Sequence, residues 1–258
     1  MNIKIYIILP VLTFNHEDFE NFLKANQFIR DNKNISIFLK VKRPISLSAP
    51  NLIIHVQEDN SIYQAWNQSI LEINRKEKNK NFYTIFCGID DILNKDFIAE
   101  SQKMFDSSYD IIFGDIIIDV HNNKKKKYAN PNSSMFYNSK QKVWDIYHPG
   151  MLMNSRIFGE TIFDEKYKLA ADFKFFAWVS NNFKIKSKYI PLSQATININ
   201  GISNRNNARQ IYFKELKKIE EELNIKISGF NRFLEYTKLL VLRSPFADLI
   251  RRFYWSVK

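Results

Sequence analysis

"FYTIFCGIDDILN", residues 82–94, is an apolar run that stops on two adjacent acids, Asp90 and Asp91. A short continuous apolar run bounded by turn residues reads as a strand covered on both faces, which is the habit of a parallel sheet flanked by helices. Side-by-side carboxylates repel each other, and a strand end has no structural need for two. Asp91 as the cap of the next helix, with Asp90 solvated, is one reading. The other is a divalent-metal site, because Mg²⁺ and Mn²⁺ take hard oxygen ligands, commonly one or two carboxylates plus substrate phosphates. The pair alone leaves both open.

The surroundings repeat the strand pattern. Residues 3–9 form another continuous apolar run, "ISIFLKV" (35–41) and "LIIHV" (52–56) read as strands, and "DIIFGDIIIDV" (110–120) as a strand with a kink or bulge at Gly114. Between them lie helical patterns. Asn15 caps a helix carrying Phe19, Phe22, Leu23, Asn26 and Ile29, and residues 61–75 place Ile62, Ala65, Trp66, Ser69, Ile70 and Ile73 on one face. A short helix is expected near 95–106, a longer one over 164–182 with Asp172 inside it, and another over 207–223. "HNNKKKKYANPNSS" (121–134) reads as a solvated loop or hairpin tip. The alternation predicts an α/β fold with a mainly parallel sheet, in which ligands sit at the carboxyl ends of the strands. Asp90 and Asp91 occupy such an end.

Composition sets the outer limits. The chain has 258 residues, 45% of them apolar, enough for one medium domain with a real core. Its single cysteine, Cys87, excludes an internal disulfide framework, fits a reducing compartment and reads as a small buried hydrophobe. The net charge of +11 favours anionic partners. A nucleic-acid binder is not expected, because the lysines cluster in one loop instead of interleaving with aromatics. "MNIKIYIILPVLTF" (1–14) is interrupted by Pro10 and lacks a small-residue cleavage site, so it reads as a buried first strand and not a signal peptide.

"QEDNSIYQAWNQSI" (57–70), "FCGIDDIL" (86–93) and "DEKYKLAADFKFF" (164–176) together resemble the family 2 inverting glycosyltransferases, and within them the enzymes of bacterial capsule, lipopolysaccharide and exopolysaccharide assembly. The first stretch is similar to E-P-D-x-G-I-Y-D-A-M-N-K-G-I, matched at Asp59, Ile62, Tyr63, Ala65, Asn67 and Ile70. Gly88, Asp90 and Asp91 match a strand ending G-A-D-D. "YDIIFGD" (109–115), "HPGMLMNSRIF" (148–158), "FDEKYKLAADFKFF" (163–176) and "IPLSQATININGIS" (190–203) follow in the family's order, so the resemblance spans roughly residues 1–204. The chain departs where the family's second strand ends in D-G-x-S-x-D, since "FLKVKRPISLS" (38–48) holds no acid. Gln64, Gln68 and Ser69 stand where the family has Asp, Lys and Gly. A nucleotidyltransferase would carry a glycine-rich phosphate loop near the N-terminus, and "ILPVLTFN" (8–15) has none.

The resemblance implies a GT-A fold: a Rossmann-like, mostly parallel central sheet flanked by helices, over residues 1–204, with a basic amphipathic helical extension over 205–258. It implies transfer of a sugar from a nucleotide-diphosphate donor, a UDP-sugar being expected, to a glycan or polyprenyl-diphosphate-linked acceptor. Asp91 is the implied ligand of Mn²⁺ or Mg²⁺ and Asp172 the implied general base. Asp59, Asn67 and Asp90 fall to the donor, and His148 and Ser203 to the acceptor or phosphate side. The alternative is a non-catalytic sugar-nucleotide-binding relic of the same fold, to which the missing acids point and against which Asp91 and Asp172 stand.

In the tail, Ser244 and Pro245 suit a helix start, and Phe246, Leu249, Ile250, Phe253 and Val257 share a stripe beside Arg251 and Arg252. Such a helix either lies in a membrane interface or packs on the catalytic domain. The expected location is cytoplasmic, with peripheral contact at the cytoplasmic face of the inner membrane under the first reading.

Overall fold

The computed structural model of the chain describes residues 3–11, 13–58, 61–78, 81–107, 109–120, 123–127, 129, 148–159, 162–182, 184–198 and 208–225. Asp59, Ser203 and the tail helix expected around 245–257 lie outside them.

The N-terminal half alternates strand and helix. Strand β1 (Lys4–Val11) leads to α1 (His16–Ala25) and the short α2 (Phe28–Asp31), then β2 (Ile35–Val41) and β3 (Leu52–Val56). Helix α3 (Ile62–Glu77) returns the chain to β4 (Phe82–Phe86). The period-two pleat divides the apolar side chains between two faces. Ile5, Ile7 and Leu9 of β1 pack with Phe19, Phe22 and Leu23 of α1, whereas Tyr6 and Ile8 pack with Trp66, Ile70 and Ile73 of α3. Asn15 and Ser61 cap α1 and α3, their side chains accepting from Glu17 N and Gln64 N. Pro10 is tolerated inside β1 because pairing with β4 ends at Ile8↔Phe86, which frees that edge of the strand.

The second half supplies β5 (Ile92–Leu93), α4 (Lys95–Gln102), β6 (Ile111–Val120), β7 (Asn123–Lys127), β8 (Leu152–Asn154), α5 (Ala171–Asn182), β9 (Ser187–Asn198) and α6 (Ala208–Leu223). Among the described residues the sheet runs β3-β2-β1-β4-β8-β6-β9-β5, with β7 paired to β6. It is parallel through β3-β2-β1-β4 and mixed beyond. The register of β6 against β9 shifts on either side of Asp115, the irregularity expected at Gly114. A Cβ at Gly114 would sit 2.3 Å from the Leu192 carbonyl oxygen, so the two backbones approach too closely for any side chain.

One expectation narrows and two change. Of the two forms expected for the 121–134 segment, the described part takes the hairpin, since Lys124–Lys127 lie in β7 antiparallel to β6 and Lys126 reaches Asp115 at 3.0 Å instead of facing only solvent. The helix after the paired aspartates is capped by Asn94, not Asp91, and the two-residue β5 intervenes. The helix expected over 164–182 begins only at Ala171. Residues 164–170 are turns, with Tyr167 N bonded to the Asp164 carbonyl and Lys166 N to the Asp164 side chain. Asp172 therefore sits in the first turn of α5 instead of inside a long helix.

Candidate active site

The site forms where β4 ends. Gly88–Asp91 is a turn closed twice, by Asp91 N to the Gly88 carbonyl at 3.2 Å and by Gly88 N to Asp91 Oδ2 at 2.6 Å. A Cβ on Gly88 would lie 2.9 Å from Asp90 Oδ1, so the bare glycine leaves room for the Asp90 carboxylate over the turn, while Asp91 Oδ2, at 3.6 Å, would be in ordinary contact. Buried Asn26 fixes the exit, donating to the Asp91 carbonyl at 3.1 Å and accepting from Leu93 N at 2.7 Å.

The two acids differ in surroundings. Asp90 is exposed, and Asp91 is 8% exposed. Burial is the main cause that lifts Asp91 to about 7, and the charge of Asp90 adds to it. The Gly88 N–H and, more weakly, His148 pull it back. Burial and the same two carboxylates push the Cys87 thiol up, so Cys87 stays a neutral apolar filler.

His148 stands at the turn before β8. Gly150, at φ 80°, makes that turn, and a Cβ there would meet the Ala195 side chain at 2.8 Å. Buried Gln194 ties the turn to the β6 bulge, donating to the Pro149 carbonyl at 2.8 Å and accepting from Gly114 N at 2.7 Å. His148 Nδ1 lies 3.2 Å from Asp172 Oδ2, and the Trp66 ring meets the imidazole edge to face at 5.5 Å. The other oxygen of Asp172 accepts from Tyr63 Oη at 3.2 Å and from Phe173 N at 2.8 Å. Burial first, then the charge of Asp172 and the bond to it, drive the Tyr63 phenol far above its ordinary range, so it serves Asp172 only as a donor.

His148 and Asp172 thus meet, and His148 lies near enough to Asp91 for its charge to act on it, with Asp90 exposed beside Asp91. Asn67 does not join them. Its amide donates to the Phe163 carbonyl at 2.8 Å and to Glu165 at 3.0 Å and accepts from Phe163 N at 2.8 Å, which clamps the segment before α5. Asp115 is likewise taken up, accepting from Ala129 N and Tyr189 Oη. At the end of β2, where the resembling family carries acids, Lys40 is 1% exposed and donates to Gln57 and Gln68, each at 3.0 Å. Gln68 of α3 and Gln57 after β3 therefore stand around Lys40, and the end of β2 is built differently from the pattern of the resembling family. Asn26 and Gln194 brace the site although the sequence assigns them no role in it, and Tyr63, matched within the resemblance, donates to Asp172. Only a buried polar position on an apolar helix face hinted at Asn26.

No protein-family model and no curated protein sequence matches the chain. Solved structures do match in fold. S. aureus TarS 1–349 in complex with UDP-GlcNAc aligns with TM-score 0.56 and 13% identity over 94% of this chain and 74% of that one. A longer TarS chain aligns with TM-score 0.54 and 14% identity over 94% of this chain, which spans only 44% of that chain's length. The mannosyltransferase PcManGT from Pyrobaculum calidifontis, in complex with GDP-Man and Mn²⁺, aligns with TM-score 0.51 and 12% identity over 83% of this chain and 64% of that one. The fold is the GT-A fold of glycosyltransferases. At these identities the likeness carries the architecture and leaves the reaction to be argued from the site.

Proposed function

We propose that the chain is a metal-dependent inverting glycosyltransferase of the family 2 type. It moves a sugar from a nucleoside-diphosphate donor, a UDP-sugar being expected, to a hydroxyl of a glycan or polyprenyl-diphosphate-linked acceptor in bacterial surface-polysaccharide assembly. The observation that carries this reading is the placement of Asp91 just beyond the carboxyl end of β4, together with the contact of His148 with Asp172 at 3.2 Å. Two fold neighbours are complexes with nucleotide sugars, and one of these also holds Mn²⁺.

The residues fit a divalent cation. Asp90 and Asp91 fold over Gly88, where a Cβ would crowd Asp90 Oδ1 at 2.9 Å, and burial plus the charge of Asp90 make Asp91 costly to ionise until a cation arrives. Among the described residues no group of three or more His, Cys, Asp or Glu side chains gathers for a metal. A two-carboxylate shell suits Mg²⁺ or Mn²⁺, which complete their coordination with water and phosphate oxygens. When bound, the metal supplies Lewis-acid stabilisation of the departing diphosphate. Asp172 accepts the proton of the acceptor hydroxyl as that oxygen bonds to the anomeric carbon, opposite the breaking bond to phosphate. One displacement inverts the carbon, and the proton ends on Asp172. Tyr63 and His148 hold the two carboxylate oxygens in place.

Tyr63→Phe removes one of those holds and is expected to lower kcat about tenfold with little change in donor KM, as steady-state kinetics would read. Protons compete with the cation at Asp91, so apparent Mn²⁺ affinity should weaken about tenfold per pH unit below about 7, measured by calorimetry across a pH series. The function itself is tested by a panel of nucleotide sugars with Mn²⁺, scored for nucleoside diphosphate release with and without a membrane-lipid extract. One donor turned over by the wild type, with loss of turnover in Asp91→Ala and Asp172→Asn, supports the proposal. Metal-independent donor binding with no turnover of any donor would favour the non-catalytic relic, the reading that the acid-free end of β2 suggests. Among the described residues no helix is long and apolar enough to cross a membrane, and the lipid arm tests a peripheral contact by the tail.

A further inference from the structure

Helix α6 follows the last strand of the sheet, and its inner face carries Leu216 and Ile219 in the same apolar core as Phe163, Ala170 and Phe176. Just before these apolar contacts the helix turns a carboxylate inward. Glu215 is 8% exposed, and its two oxygens accept from three successive backbone amides: Lys168 N at 2.7 Å, Leu169 N at 2.9 Å and Ala170 N at 2.9 Å. Successive N–H groups pointing into one concavity form an anion-binding nest. Here the anion is a side chain 45 residues further along, and charge-assisted bonds of this kind are the strong ones. A second tie lies alongside, where Lys174 of α5 bonds Asp164 at 2.7 Å and also pairs with Glu222 of α6.

The position of the nest is what matters. Ala170 provides the carbonyl that accepts from Lys174 N at 3.0 Å, so it opens the first turn of α5, and Asp172 lies two residues beyond it. Fixing the amides of 168–170 fixes where that turn starts and hence where the Asp172 carboxylate points.

We infer that Glu215 is a positioning residue for the transfer reaction. Through the 168–170 backbone it holds Asp172 against Tyr63 and His148, and α6 is thereby a working part of the catalytic unit and not an appendage to it. The inference rests on Asp172 acting as the base in the proposed reaction.

The test uses the full chain with Glu215→Gln, which keeps the size and one acceptor oxygen, and Glu215→Ala beside it. Backbone hydrogen exchange over 166–174 reads the latch, the His148 ring resonances read the placement of Asp172, and the kinetics of nucleoside diphosphate release read the chemistry. Exchange at 168–170 should speed up about tenfold or more and the His148 ring signals should shift. Meanwhile kcat should fall about tenfold to hundredfold, with donor KM held within about twofold. Unchanged exchange overturns the latch, and unchanged His148 signals or unchanged kcat overturn the positioning role. Parallel losses in kcat and donor affinity would make Glu215 a general stabiliser and overturn it too. If Glu215→Ala fails to fold, the Gln variant carries the same readouts. A wild-type chain that releases no nucleoside diphosphate refutes the transferase reading on its own, and exchange together with the His148 signals then decides whether Glu215 places Asp172.

Discussion

Asp172→Asn is expected to lower kcat for transfer about a thousandfold while leaving donor KM and Mn²⁺ affinity close to wild type. The amide keeps the size of the carboxylate and can still accept from Tyr63 and Phe173 N, so the cleft keeps its shape. What it cannot do is take the proton of the acceptor hydroxyl. The loss should therefore fall on the chemical step and not on the donor, which is expected at the β4 end of the cleft. Donor titration with steady-state kinetics separates the two. A variant that retains most of the wild-type kcat would remove Asp172 as the base.

Asp91→Asn should have effects of opposite sign on function and on stability. Metal-dependent donor binding is expected to be lost, because the amide presents no charge to a cation. In the absence of metal the variant should be the more stable protein at pH 8. The sign follows from linkage. The native aspartate ionises only at about 7, above its ordinary value, so the folded chain holds a proton that the unfolded chain has already released. Stability is therefore lost as the pH rises from near 4 towards 7, by on the order of 4 kcal/mol, and Asn avoids that loss. Thermal melting at pH 5 and pH 8 should show wild type falling relative to the variant at the higher pH, by about 10 °C for a chain of this size. Adding Mn²⁺ and donor should raise the wild-type melting temperature and leave the variant unmoved. A metal-free Asp91→Asn protein that melts below wild type at pH 8 would show that the buried carboxylate is not held at this cost. A site that destabilises the protein bearing it is the usual mark of a group retained for function.

Much of the parallel half of the sheet is legible in the sequence. β1, β2 and β4 are near-continuous apolar runs because helices cover both faces, β3 at the edge is only partly buried, and the Asp90–Asp91 turn falls where such a run stops. The cap Asn15 and the bulge at Gly114 are local devices that short-range chemistry reveals. What is not legible depends on partners far along the chain. Residues 164–170 share the apolar spacing of a helix, yet the amides of 168–170 are claimed by Glu215 of α6, and the helix starts late. Asn67 looked like a donor contact on the face of α3, but Phe163 and Glu165, nearly a hundred residues on, occupy its amide. The bracing roles of Asn26 and Gln194 are not legible for the same reason, since each holds a turn that arrives from a distant segment. The lysines of β7 read as a solvated loop or hairpin tip, and the sequence does not choose between them because it does not display the β6 edge they pair with or the buried Asp115 that Lys126 reaches.

The central claim is that a nucleoside-diphosphate sugar and a divalent cation bind together over Asp91, with Asp172 poised beside them. The most direct test is calorimetric titration of UDP-GlcNAc and GDP-mannose, along with any donor the panel selects, into wild type, Asp91→Asn and Asp172→Asn, each with Mn²⁺ and with chelator. Mn²⁺ should tighten binding of one donor about tenfold or more in wild type and in Asp172→Asn, and should add nothing in Asp91→Asn. Donor binding that is indifferent to the metal, or a metal effect that survives the loss of the Asp91 charge, would contradict the account.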